Sequence, residues 1–428
     1  QAKQLHSVTG LTTAADLHSG ISRTMARVSS DTHGMSTVAV GCHKNAPEMG
    51  ITKPLVTPIY HSSNYHFDTI KEYTAVLRHE TKGHIYQRNA NPSDAAASEV
   101  IRRMEGGVGT LLYGSGVAAA NGVMFALLRP GDHVVAQQQM HKDCKDNVKL
   151  LAAEFGVEAT FVDAGKPVSV WEEAAKPNTK LFWAETIANP TMEVLDVTKF
   201  AEIGKKLGIV TAVDATFTTV ALLQPLNKGV DIVMHSCTKF HGGHSDILAG
   251  CVTTNRTDLF QQLNTYFALS GPNLSPWVAS LLARGLQTLP LRMKQISETA
   301  MKVATFLETR QEVKRVLYPG LASHPQHQIA TRELTKGFGG VLGIEMATAE
   351  EAMQLVDNVQ VITRSTSLGG VESIMEYQYL KMAKSPNAKV PGLPIGLVRL
   401  SVGIEDVSDL IQDLKQALDH VAASKTEQ

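Results

Sequence analysis

The sequence predicts an α/β protein: a seven-stranded, mostly parallel sheet followed by a smaller α+β unit. Three observations predict it. From residue 110, short apolar runs recur at intervals that leave room for crossover helices, as parallel sheets require. At 428 residues the chain exceeds one ordinary hydrophobic core, so two domains are expected. After about residue 285 the alternation stops and a different pattern takes over.

The elements follow in order. Residues 1–33 are rich in Ser, Thr, Ala and His and lack a hydrophobic signal core; they read as an arm or as the remnant of a targeting segment. Strands are expected at 110–113, 133–136, 159–163, 181–184, 209–213, 231–234 and 250–253. The last interval is tight, so the seventh strand is expected to run antiparallel. Ligands are expected at the carboxyl ends of the parallel strands. Beyond residue 285, Ile296, Ala300, Val303 and Leu307 have helical spacing, and strand-like runs follow at 313–317, 340–346 and 396–402. Val407, Leu410, Ile411, Leu414, Leu418 and Val421 form one apolar stripe of a final helix, with Glu405 and Asp406 at its positive end. The expected division is 1–85, an N-terminal arm and inter-subunit segment; 86–285, a large domain; and 286–428, a C-terminal α+β domain.

Composition excludes several function classes. A net charge of -1 argues against nucleic acid or an anionic membrane as main partner. No apolar run approaches the roughly 20 residues needed to span a bilayer. Four scattered cysteines (Cys42, Cys144, Cys237, Cys251) without a C-x-x-C pair point to a reducing compartment, so a cytoplasmic location is expected. His241 and His244 have no third or fourth ligand at recognisable spacing, and no metal is expected.

Chemistry concentrates in Ser236-Cys237-Thr238-Lys239, directly after a strand and before the turn Phe240-His241-Gly242-Gly243. A lysine presented there suits a Schiff base with an aldehyde cofactor, pyridoxal 5'-phosphate (PLP), while Ser236 and Thr238 offer hydroxyls to its phosphate. Asp214 ends an apolar run, where a pyridinium N–H would pair its charge; a turn or cap aspartate is the alternative. Tyr113-Gly114-Ser115-Gly116-Val117 joins a strand to an apolar helix, which makes a phosphate cup or a tight turn. Arg399 lies in an apolar strand, as a clamp for a substrate carboxylate or as the partner of Glu405 or Asp406.

Six segments in order resemble the PLP-dependent enzymes of cysteine and methionine metabolism, the group of cystathionine γ-lyase, cystathionine γ-synthase and methionine γ-lyase. They are Tyr86-Gln87-Arg88-Asn89-Ala90-Asn91-Pro92-Ser93, Glu185-Thr186-Ile187-Ala188-Asn189-Pro190-Thr191, Val213-Asp214-Ala215-Thr216-Phe217, Ser236-Cys237-Thr238-Lys239, Ser367-Leu368-Gly369-Gly370-Val371-Glu372-Ser373 and residues 397–406. The resemblance covers roughly residues 36–422. It implies the type I aminotransferase-like fold and a homotetramer of two catalytic dimers, with residues 1–60 wrapping a neighbour. It further implies that Tyr86 and Arg88 reach the phosphate of the neighbouring subunit. Glu185 and Asn189 would lie beside the cofactor ring, Ser115, Gly116, Val117 and Thr216 would join the cofactor site, and Ser367 would meet the substrate carboxylate with Arg399.

Two places depart from that family. Where relatives carry a tyrosine that stacks on the cofactor, this chain has Met140-His141-Lys142-Asp143-Cys144. His141 is the candidate for stacking, and either for proton transfer near neutral pH or for stacking alone. Glu376-Tyr377-Gln378-Tyr379-Leu380-Lys381-Met382 also differs, and Thr366 stands where relatives vary with substrate. With Lys142, Asp143 and His241, Thr366 is expected to make the substrate pocket polar. The expected activity is elimination of the γ-substituent of an L-amino acid, a C–S bond by default, giving a 2-oxo acid and ammonia. The alternatives are γ-replacement by a synthase, elimination of a non-sulfur group, and a catalytically silent homologue.

Overall fold

The computed structural model describes residues 33–40, 54–382 and 392–426. Most of the expected N-terminal arm, and Cys42, lie outside the described residues.

The large sheet has seven strands: β1 (Gly109–Tyr113), β2 (His133–Gln137), β3 (Glu158–Val162), β4 (Thr179–Glu185), β5 (Val210–Asp214), β6 (Ile232–His235) and β7 (Gly250–Thr254), in the order β1-β7-β6-β5-β4-β2-β3. Every expected strand is present, with ends shifted by one or two residues. β7 is antiparallel to both β1 and β6, as its short connection requires. The fourteen residues between β6 and β7 contain no helix, whereas parallel neighbours are usually joined by a helical crossover. Helices cover both faces, so the central strands bury both sides: Phe182, Trp183, Val213 and Val233 are fully enclosed.

The parallel strands β4, β5 and β6 end side by side. Glu185 is in register with Asp214, and Asp214 with Met234. Three chain segments with chemical side chains therefore leave the sheet together at the carboxyl ends of these strands.

The second sheet has five strands, β10-β11-β12-β9-β8, formed by β8 (Val313–Leu317), β9 (Val341–Met346), β10 (Thr363–Arg364), β11 (Ile374–Tyr377) and β12 (Leu397–Ser401). β10 and β11 are absent from the sequence reading. β10 has two exposed residues, and β11 only four, so neither carries a periodicity to read.

One helix, Pro276–Glu308, joins the two sheets. Leu282, Leu286, Leu289, Met293, Ile296, Ala300, Val303 and Leu307 along it are fully buried at steps of three and four. The expected change of domain at 285/286 falls inside this helix. In the terminal helix Val407–Thr426, Leu410, Leu414, Leu418 and Val421 are buried, which is the apolar stripe read from the sequence. Among the described residues no helix is long and apolar enough to cross a membrane, and no group of three or more His, Cys, Asp or Glu side chains could hold a metal ion.

Candidate active site

A cavity opens where β4, β5 and β6 end. Its walls include Gly116, Val117, His141, Glu185, Asn189, Asp214, Thr216, Ser236 and Lys239, all named from the sequence. Cys144, Ile187, Phe217, Met234 and Leu368 complete the lining. The sequence reading missed these five; apolar side chains in a strand-end wall look the same as core.

One end of the cavity is shaped to receive an anion. Helix Gly116–Leu127 starts there, capped by Ser115, whose hydroxyl accepts the Ala118 N–H at 3.1 Å. The N–H groups of the first turn have no intrahelical acceptor and carry the positive end of the helix dipole. Gly116 packs directly on Ser236: a Cβ added to it would stand 2.6 Å from the Ser236 Cβ, so only glycine allows this approach. Thr216 Oγ1 accepts the Ser236 N–H at 2.8 Å. Thr238 Oγ1 donates to the Ala249 carbonyl at 3.1 Å and accepts its N–H at 3.0 Å. The two threonines thus fix the backbone that carries Lys239.

Lys239 Nζ donates to Ser367 Oγ at 2.6 Å. Ser367 has φ 79°, a left-handed conformation that costs a non-glycine residue energy. Gly369, at φ 83°, lies so close to the lysine segment that a Cβ would stand 2.6 Å from the Phe240 nitrogen. The turn that carries Ser367 is therefore pressed against the turn that carries Lys239.

Asp214 Oδ1 accepts the Thr216 N–H at 2.9 Å, so this aspartate both makes a turn and lines the cavity. Glu185 beside it is buried. Burial, and then the charge of Asp214, drive its carboxyl well above the usual range. The His141 N–H at 2.6 Å and the Asn189 N–H at 2.9 Å pull the other way, one on each carboxyl oxygen. Glu185 consequently ties His141 at the head of helix Lys142–Glu154 to Asn189 in the segment that follows β4.

Arg399 on β12 is 4 % exposed. Its Nη2 donates to the Ser367 carbonyl at 2.7 Å and to Glu376 Oε2 at 2.6 Å, while Nη1 donates to Asn189 Oδ1 at 3.2 Å. The alternative partners considered from the sequence do not hold it. Glu405 instead receives the N–H and hydroxyl of Ser373, at 2.5 and 2.8 Å. Glu376 was missed as a partner because cross-strand register, unlike spacing along the chain, is not visible without β11.

Five expected residues lie elsewhere. Tyr86 is exposed, and Arg88 lies beside its ring and donates to the Ala268 carbonyl at 2.6 Å, outside this chain's own cavity. Thr366 is exposed and does not line the cavity. His241 is buried behind the lysine turn, its ring 4.4 Å from that of His235, and it adds no polarity to the pocket. Lys142 is occupied with Asp146 at 2.7 Å on the surface.

These residues fit PLP. A lysine and a carboxylate line one cavity, and a glycine cradle that a Cβ would fill opens at a helix N-terminus. Comparison with known proteins points the same way. The family described as Cys/Met metabolism PLP-dependent enzyme matches residues 36–419. The cystathionine gamma-lyase of Bacillus subtilis is 36% identical over 86% of this chain and 96% of its own. The cystathionine gamma-synthase of Mycobacterium leprae is 38% identical over 90% and 97%. The crystal structure of metB from Corynebacterium glutamicum superposes with a TM-score of 0.85 at 35% identity, over 92% of this chain and 99% of that one. The chain belongs to the PLP-dependent enzymes of Cys/Met metabolism, and pyridoxal 5'-phosphate is its cofactor.

Proposed function

We propose that this enzyme is a lyase that eliminates the γ-substituent of an L-amino acid, by default through a C–S bond, to give a 2-oxo acid and ammonia. The observation that carries this reading is the Lys239 amine at 2.6 Å from Ser367, in a wall of the cavity that also holds Asp214 and Asn189. When bound, PLP supplies an aldehyde for the amino group and a ring that accepts electrons. Arg399 and Ser367 receive the substrate carboxylate, which leaves the α-carbon within reach of Lys239. The lysine amine takes the α-proton as general base. His141, held by its backbone to Glu185 at the cavity wall, gives a proton to the leaving group.

A second reading is γ-replacement, in which a thiol nucleophile takes the place of the leaving group. It is favoured by the similarity to a cystathionine gamma-synthase at 38% identity. We also propose a homotetramer of catalytic dimers in the cytoplasm, with the arm 1–85, the cofactor domain 86–285 and the C-terminal domain 286–428. Support for the dimer comes from Tyr86 and Arg88, which are exposed and lie outside their own cavity.

Product analysis by mass spectrometry tests the reaction. Homoserine esters, cystathionine, methionine, cysteine and γ-halo amino acids are each supplied with and without a thiol. Release of a 2-oxo acid and ammonia without thiol incorporation is the expected result. A thioether product would assign the synthase reaction instead.

A further inference from the structure

The partner that Arg399 has in place of Glu405 or Asp406 is a carboxylate already seated on the carboxylate clamp. Glu376 and Arg399 are direct cross-strand neighbours on β11 and β12, so the ladder itself builds the pair. Their side chains are 10% and 4% exposed. Glu376 is held in turn, since its Oε2 also accepts from the buried Gln378 Nε2 at 2.6 Å.

The hydrogen count is informative. An arginine Nη2 has two hydrogens, and here the Ser367 carbonyl and Glu376 take both. Nη1 has two hydrogens and, among the described residues, one partner, Asn189 Oδ1 at 3.2 Å. Asn189 lines the cavity beside Lys239. The charge count matters as well: a buried guanidinium alone would attract any small carboxylate, whereas one paired with Glu376 presents directed donors with little net charge.

Given the reading of Arg399 as the clamp, we propose that Glu376 is a resident carboxylate that both positions and neutralises it. It holds Nη2, so that a substrate's carboxylate is received at Nη1 beside Asn189. It cancels the positive charge, so that the subsite rejects simple anions in favour of α-amino acids, which are also held through their amino group. Glu376 is thus a positioning and specificity-determining residue.

The test is the affinity of the holoenzyme for butyrate, a carboxylate without an amino group, read by thermal-shift titration in the wild type, Glu376→Gln and Arg399→Lys. Glutamine keeps an oxygen for Nη2 but removes the charge. Two unit charges several ångströms apart at an effective dielectric near ~20 correspond to on the order of tenfold or more in a binding constant. Butyrate should therefore bind about tenfold tighter to Glu376→Gln and more weakly to Arg399→Lys. Unchanged or weaker binding to Glu376→Gln, with weaker binding to Arg399→Lys, overturns the role of Glu376 and leaves the clamp intact. Unchanged binding to Arg399→Lys overturns the clamp and this proposal together. Should the glutamine variant not fold, Glu376→Asp keeps the charge but shortens its reach. Butyrate binding then stays weak while KM for the amino acid substrate rises severalfold, and an unchanged KM overturns the proposal.

Discussion

Substituting Gly116 by alanine places one methyl group where the helix meets the lysine segment. The new Cβ would stand 2.6 Å from Ser236 Cβ, 2.7 Å from its Oγ and 3.1 Å from its Cα. Carbon atoms in good contact are about 3.5–4.0 Å apart, so the helix start and Ser236 must separate by about 1 Å. Overpacking of this kind costs roughly 1–3 kcal/mol. The obstruction lies in the anion cup itself, and the same displacement turns the first-turn N–H groups away from the phosphate. Cofactor affinity should fall by about fivefold to about a hundredfold, which is that energy expressed as a binding ratio. The assay is titration of the apoenzyme with PLP, followed by its visible absorption, with thermal unfolding alongside. A Gly116→Ala enzyme that binds PLP as tightly as the wild type would refute the assignment of this helix start as the phosphate site.

Two further outcomes rest on other parts of the structure. Behind the lysine turn, His235 Nε2 meets Glu105 Oε1 at 2.6 Å with both side chains fully buried. Burial pulls the imidazolium down most strongly, but the hydrogen bond and charge of Glu105 together push its pKa up to about 9. A raised folded-state value stabilises the protein fully below the unfolded value of about 6.5 and ceases to do so as pH rises through about 9. At about 1.4 kcal/mol per pH unit, that interval amounts to ~3 kcal/mol. Denaturant unfolding of the wild type should show this loss between pH 7 and 10, and Glu105→Gln should remove the slope and lower stability at pH 7. A wild-type stability that stays level over that range would contradict a charged pair. At the cavity wall, His141→Phe keeps a flat ring but removes the proton; turnover with poor leaving groups should fall by about 10²–10⁴-fold, the usual contribution of a general acid. Undiminished turnover would reduce His141 to a stacking surface.

The large sheet was legible because its strands, the edge strand β3 apart, are short runs buried almost throughout, and such runs stand out between amphipathic helices. The antiparallel turn of β7 followed from chain length alone. β10 and β11 were not legible, since two exposed residues and a four-residue strand leave no period to detect. Lys239, Asp214 and Gly116 were readable because each is a chemical exception in an apolar or turn context. Glu376 was not: its significance depends on standing across from Arg399, and register between distant strands has no local signal. His241 shows the converse error. A polar residue in a glycine-rich turn suggested a pocket wall, yet the turn folds inward and buries it against His235.

The central claim is that Lys239 is the residue that carries PLP in a site formed by Asp214, Ser236 and the head of helix Gly116–Leu127. Borohydride reduction of the holoenzyme, proteolysis and peptide mass spectrometry test it directly. The expected result is a single peptide containing Lys239 with the mass of one reduced pyridoxyl phosphate, absent from Lys239→Ala. A label on another lysine, or undiminished labelling in Lys239→Ala, would contradict the account.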